Sequence, residues 1–333
     1  EVEIDATWHE AMDVRGRVEV ADLSVLHPGA RGRLSGRLHA HGASDSPHVR
    51  IELEGDELAW QDLVRLDTLS LEAEVAALGS AESAVRLEGA GIRMPRRDLV
   101  VGDLRLDLAG TRAAHALTMG LDGGVVALAL RLGGGMDEAL HWTGTIEEAS
   151  VTALEFQWAL EDGPVALAWD PERGQASVDA HAWRLGEARL RFPDPLHLGA
   201  EGAAALRLED FALEDLARWL PPDLHLTGFL DIDAHAAWGG GRRPAAEVHL
   251  AVREGTVGLA DPDALEDEVL RMPFETLVLA AGLEQERGWL NAELAAEQLG
   301  RAVVETTLDI GPDGTPGALA GSLSLLRRDF TGT

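Results

Sequence analysis

His39 and His41 stand two residues apart in a run of alternating apolar and polar residues, a spacing that puts both imidazoles on one face of a strand. Zinc needs three or four protein ligands, and the surrounding sequence nominates no third. Asp231, Asp233 and His235 repeat the arrangement on a second alternating run. Both sets read as solvated side chains on a polar strand face. His9-Glu10 opens an H-E-x-x sequence but reaches Asp13 where the zinc-protease pattern needs a second histidine.

Covalent chemistry is equally poorly supplied. The 333 residues contain no Cys and no Lys, which excludes thiol nucleophiles, zinc ribbons, Schiff bases and a phosphate-binding P-loop. No G-x-S-x-G or G-x-G-x-x-G occurs, and no calcium loop follows Asp231-x-Asp233. Glycoside hydrolysis needs two placed carboxylates, but 58 Asp+Glu supply so many pairs that none stands out. Of the nine Trp, Trp142, Trp158, Trp169, Trp183, Trp238 and Trp289 lie in or beside alternating runs. A sugar platform would expose them. Their step with apolar neighbours favours packing. The reading is no catalytic residue, no metal site and no cofactor.

With 28 Arg against 58 acids the net charge is 28 − 58 = −30, which argues against nucleic acid and against anionic membrane surfaces. No stretch approaches the roughly 18 apolar residues of a spanning helix, and the N-terminal residues have no signal-peptide pattern. The chain reads as an internal piece of a longer protein.

The elements that would carry these side chains follow period two, the signature of a half-buried strand. Leu34 and Leu38 alternate with Arg and His, and Val49, Ile51 and Leu53 with Arg and Glu. The pattern returns in Leu104, Leu106 and Leu108, in Val126, Leu128 and Leu130, and in Leu226, Leu230 and Ile232. It continues through Val248 and Leu250, Leu277 and Leu279, Leu308 and Leu323. Turn sequences such as HPGARG, LDGG, WGGGRRP and GPDGTPG separate the runs. The expected fold is all-β and antiparallel, with roughly twenty strands.

Two segments depart from alternation. Asp210 to Pro221 has Phe211, Leu216, Trp219 and Leu220 at helical spacing, Asp210 as N-cap and Pro221 as stop, which predicts a short helix over 210–221. Asp261 to Met272 predicts a second, with Pro262 at its first position. The pattern apolar-x-Gly-x-apolar recurs at Leu34–Leu38, Trp142–Ile146, Leu226–Leu230 and Leu319–Leu323, with its Gly on the apolar face, where a bend or a close approach needs it. Two sections are expected, 1–205 and 206–333, the second opening on the 210–221 helix, in one continuous sheet.

One apolar face per strand must be covered. Either the sheet folds on itself as a sandwich, or it curls around an apolar groove. The small residues and only 6 Phe lean toward a groove, lined by the apolar positions named above. Acyl chains suit such a lining, at ~0.8 kcal/mol per CH₂ removed from water.

The order Gly110, His115-x-Leu117, Gly123-Gly124, Trp142-x-Gly144-x-Ile146, Phe156-Gln157-Trp158 and Gly163-Pro164, with the later run from Leu208 to Val257, resembles the TamB family, related to AsmA-like and bridge-like lipid-transfer proteins. The resemblance implies a β-taco, a U-shaped sheet with a hydrophobic groove. It implies a periplasmic location in a Gram-negative bacterium and an inner-membrane anchor elsewhere in the full protein. The implied partners are phospholipid acyl chains, outer-membrane protein clients and a TamA-like Omp85 barrel, the barrel being met through regions outside this piece. Phospholipid transport and assembly of autotransporters follow, with no enzyme activity. A strand-binding chaperone without lipid transport, or a carbohydrate-binding adhesive β-protein, stand as the other readings.

Overall fold

The computed structural model describes residues 2–8, 11–43, 46–76, 82–97, 99–124, 126–221, 223–260, 269–284, 287–297, 300–310 and 316–326. His9 and Glu10 lie outside them. Alternation is realised as strand: 23 strands form among the described residues, and those paired inside each of two compact units, Glu1–Pro171 and Glu172–Thr333, are antiparallel.

The first unit is a ladder in chain order. It runs through β1 (Val2–Trp8), β2 (Ala11–Val20), β3 (Ala30–Ala43), β4 (Ser46–Trp60), β5 (Val64–Ala76), β6 (Ser83–Met94) and β7 (Leu99–Gly110). It continues through β8 (His115–Asp122), β9 (Val126–Met136) and β10 (Trp142–Ala153). Each of these strands pairs with the next. Beyond β10, its far edge is shared by β11 (Phe156–Glu161) at one end and β12 (Val165–Asp170) at the other.

The second unit opens with four short strands, β13 (Gln175–Val178), β14 (His181–Leu185), β15 (Ala188–Phe192) and β16 (Leu196–Leu198). They lead into β17 (Gly202–Ala212), β18 (Leu224–Gly239) and β19 (Arg242–Ala260). The ladder ends in β20 (Val269–Glu284), β21 (Arg287–Ala296), β22 (Gly300–Ile310) and β23 (Pro316–Leu326). From β17 to β23 each strand pairs with its successor. The expected section boundary at 205/206 falls inside β17.

The helix expected over 210–221 is a seven-residue 3-10 segment, Leu213–Trp219. Strand pairing wins over the local capping signal: Phe211 pairs with Leu230 and Ala212 with Phe229, so β17 runs past Asp210. Asp210 is a bulge residue at φ 56°, and its carboxylate binds Arg253 instead of capping a helix. The second expected helix lies largely outside the described residues, and residues 269–272 belong to β20.

Burial separates the sandwich from an open face. Among the described residues no large side chain is fully buried, and eight of their fourteen buried hydrophobic residues are Ala. Two sheets packed face to face would bury Leu, Ile and Phe between them. Here the apolar positions are mostly half-exposed.

Candidate functional site: the apolar face

Residues directly opposite in a ladder share a face, so the pairings show which side chains lie together. In the first unit Leu38, Ile51, Ala73, Val85, Leu108, Leu117 and Leu132 form one row from β3 to β9. Beside it runs Gly36, Leu53, Leu71, Leu87, Leu106, Met119 and Leu130. A third row is Leu34, Gly55, Leu69, Gly89, Leu104, Leu121 and Leu128. Val49 and Val126 fall on the same face by period two. The eleven apolar positions named from the sequence in this unit therefore share one face. A depression of about 550 Å³ is lined by Leu69, Leu104, Leu121 and Leu128 together with Thr68, Glu88, Asp103, Arg105 and Asp122.

In the second unit one row links Leu208, Ile232, Leu250, Leu279, Ala292, Val304 and Leu323, and another links Leu230, Val252, Leu277 and Leu294. Val248 sits opposite Ala234, Leu226 opposite Val257, and Leu308 opposite Leu319. The nine sequence-named positions of this unit also share a face, but they are not equally open. Leu213 and Leu216 of the 3-10 segment lie over it. Leu213, Val252, Phe274 and Ala296 form a buried cluster, with Leu226, Leu230, Leu250 and Leu277 packed around it. Burying Leu213 contributes about 2 kcal/mol. Past the cluster the lining thins to Ala204, Ala234, Ala236, Ala246 and Ala281, leaving a depression of about 350 Å³. Period two marked the face; the reach of the connection from β17 over β19, β20 and β21 has no local signal.

Aromatic rings occupy the space that a Cβ would take at several glycines. Trp142 covers Gly134, Trp238 covers Gly202, Phe274 covers Gly255 and Trp289 covers Gly282. The Trp142 indole N–H donates to His115 Nε2 at 2.8 Å, and His115 Nδ1 lies 3.2 Å from Thr111 O. A carbonyl only accepts, so His115 carries its proton on Nδ1. Trp238 Nε1–H donates to Gly199 O at 3.1 Å. These two indoles spend their donors internally, which disfavours a sugar platform built on them.

The opposite face carries the charge in cross-strand pairs. Arg86 binds Asp107 at 2.7 Å, Arg105 binds Glu88 at 3.1 Å, Arg131 binds Glu148 at 3.2 Å and Arg207 binds Asp233 at 2.8 Å. Each is a directly opposed pair. At this exposure each is worth at most about 1 kcal/mol, and together they favour the observed register. A tighter knot sits behind the buried cluster. Arg253 binds Asp231 at 2.7 Å and Asp210 at 2.8 Å, and the Asp210 N–H donates to Asp231 at 3.0 Å. Burial pushes the Asp231 carboxyl up, but the Arg253 hydrogen bond, the Asp210 amide and the Arg253 charge outweigh it and hold it below the usual carboxylate range.

His39 and His41 stack at 4.8 Å between centroids, with His48 at 5.8 Å from His41, on the charged face. His39 Nε2 lies 3.2 Å from Asp13 Oδ1. His235 and His249 flank Glu247 at 3.4 and 2.8 Å. Among the described residues no group of three or more His, Asp or Glu is arranged to hold a metal. Among the same residues no helix is long and apolar enough to cross a membrane.

Fold and candidate site together define a class: an antiparallel ladder protein in which each unit carries an apolar sheet face with charged side chains on the face behind it. The chain belongs to the TamB family, since the model of that family described as TamB, N-terminal domain, matches residues 1–330. It is similar to the translocation and assembly module subunit TamB of Haemophilus influenzae, 25% identical over 232 residues. That match covers 66% of this chain and 17% of the relative, so the chain spans well under a fifth of that protein's length. No solved structure matches.

Proposed function

We propose that this chain is a non-enzymatic section of an envelope bridge that carries phospholipid acyl chains along its apolar face. It works in the periplasm of a Gram-negative bacterium, between an inner membrane that anchors the full protein and the outer membrane. A TamA-like Omp85 barrel is its outer-membrane partner, met through other regions of the full protein. The carrying observation is the alignment of Leu, Val, Ile and Ala in rows across consecutive strands on a face with no protein layer over most of it. Such a face gains ~0.8 kcal/mol for each CH₂ it takes from water, and flat Leu and Ala rows set no headgroup preference. Family membership supports the envelope setting.

The test replaces Leu128 or the open-face Val248 by Asp. A carboxylate there meets cargo only by losing its water, so lipid co-purifying with the protein falls while the fold is kept. Lipid content unchanged in both variants would count against the reading. A second reading, binding of unfolded outer-membrane strands including autotransporters, draws support from the relative's name, which speaks of translocation and assembly. Crosslinks from the same positions to nascent polypeptide, with none to lipid, favour it.

A further inference from the structure

Val252 and Val248 lie four residues apart on β19, on the same apolar face, yet Val252 is 4% exposed and Val248 is 36%. On β21 Ala296 is 4% exposed and Leu290 is 38%. What separates the covered end from the open end is the segment Leu213–Trp219. It leaves β17, crosses above β18 and sets Leu213, itself 7% exposed, against Val252, Phe274 and Ala296 on three successive strands. Four positions that the sequence marks as lining, Leu226, Leu230, Leu250 and Leu277, therefore pack beneath protein.

The segment is held unevenly. At its root, Arg253 clamps Asp210 and Asp231 on the far face of the same strands. The segment itself is 3-10, a form with weaker hydrogen bonds than an α-helix. Ala212 at its start makes no side-chain cap. Glu214, Asp215, Arg218 and Trp219 face outward. Leu213 and Leu216 meet the sheet by apolar contact, the same kind of contact a hydrocarbon chain would make.

We propose that Leu213–Trp219 is an internal strap that occupies part of the apolar face in place of cargo, so that Leu213 and Leu216 must lift for an acyl chain to pass from the alanine-lined depression at Val248 and Ala281 to Leu277. The proposal rests on the lipid reading above. The root at Asp210 makes the strap a hinged flap that stays with the sheet when it opens, and the competition is direct because strap and chain cover the same side chains.

The probe is a phospholipid with a diazirine in one acyl chain, added to the 333-residue protein, irradiated and mapped by mass spectrometry. In the unaltered protein, adducts at Val248 and Ala281 exceed those at Leu277 by about tenfold, and in Leu213→Ser/Leu216→Ser the two sites become comparable. Hydrogen exchange on the unaltered protein gives a readout independent of that variant's folding: lipid speeds exchange at residues 213–219 and slows it on β19 and β20. Equal labelling of Leu277 and Val248 without the substitutions, or a strap whose exchange lipid leaves unchanged, overturns the strap and leaves the lipid reading standing. Labelling nowhere on the face overturns both.

Discussion

Arg253 Nη2 binds Asp210 Oδ1 at 2.8 Å, joining residues 43 apart in sequence across the strand that carries Asp231. The contact sits on the charged face, directly behind the point where β17, β18 and β19 all break register. Asp210 has φ 56°, Gly228 φ 119° and Glu254 φ 55°. These backbones need left-handed geometry, which costs a non-glycine residue of order 1–2 kcal/mol, and the ion knot offsets that cost at Asp210. The charged face thereby fixes what happens on the apolar one.

Acid should loosen this knot. The Asp231 carboxyl is held below its ordinary value, so its contribution is complete above about pH 4, the unfolded value, and is lost as pH falls through the lower folded value. Thermal melts of the unaltered protein and of Asp231→Asn between about pH 2 and 6 check this. The Tm gap between them should be constant at the upper end and shrink on acidification. A gap that widens there contradicts the sign.

The one-sided core makes substitution costs strongly position-dependent. Phe274→Ala opens a cavity under the strap and should cost about 3 kcal/mol in urea unfolding of the second unit. Leu323→Ala removes a larger aliphatic side chain than the Val252 side chain, but at a position 65% exposed, and should stay within about 0.5 kcal/mol.

Glycines divide in the same way. A Cβ on Gly255 would run into the Phe274 ring, so Gly255→Ala should cost about 1–3 kcal/mol. Gly120 has open space where its Cβ would go, and Gly120→Ala should be neutral or stabilising by about 0.5 kcal/mol through the unfolded chain. Paired denaturation curves of the two variants settle the comparison.

His115 holds the Trp142 indole through a single acceptor nitrogen. His115→Phe keeps a ring and removes that acceptor, and should shift the emission of Trp142, isolated by difference against Trp142→Phe. A stability loss of about 1 kcal/mol accompanies the unpaired indole donor. Unchanged emission would contradict the contact.

Much of this fold was legible because the strand period is local. Leu34, Leu38 and Ile51 announce their face within a few residues, and antiparallel pairing of chain neighbours does the rest. The strap was misread as a capped helix because Asp210 carries a capping side chain in the right place, while the partner that claims it, Arg253, is two strands away. Cross-strand register also hid Phe274 on Gly255 and Trp142 on Gly134: a glycine on an apolar strand face signals that something approaches, and only the ladder register says what. Leu250 and Leu277 lie on the apolar face, but nothing near them in sequence indicates that Leu213 and Leu216 pack there as well.

The central claim is that the apolar face, and not the charged one, meets acyl chains. A photoreactive residue at Leu128, in an apolar row of the first unit, and another at Arg131, on the charged face beside Glu148, test it in living cells. The account predicts phospholipid adducts from Leu128 and essentially none from Arg131. No lipid adduct from Leu128, or equal yields from the two positions, would contradict it.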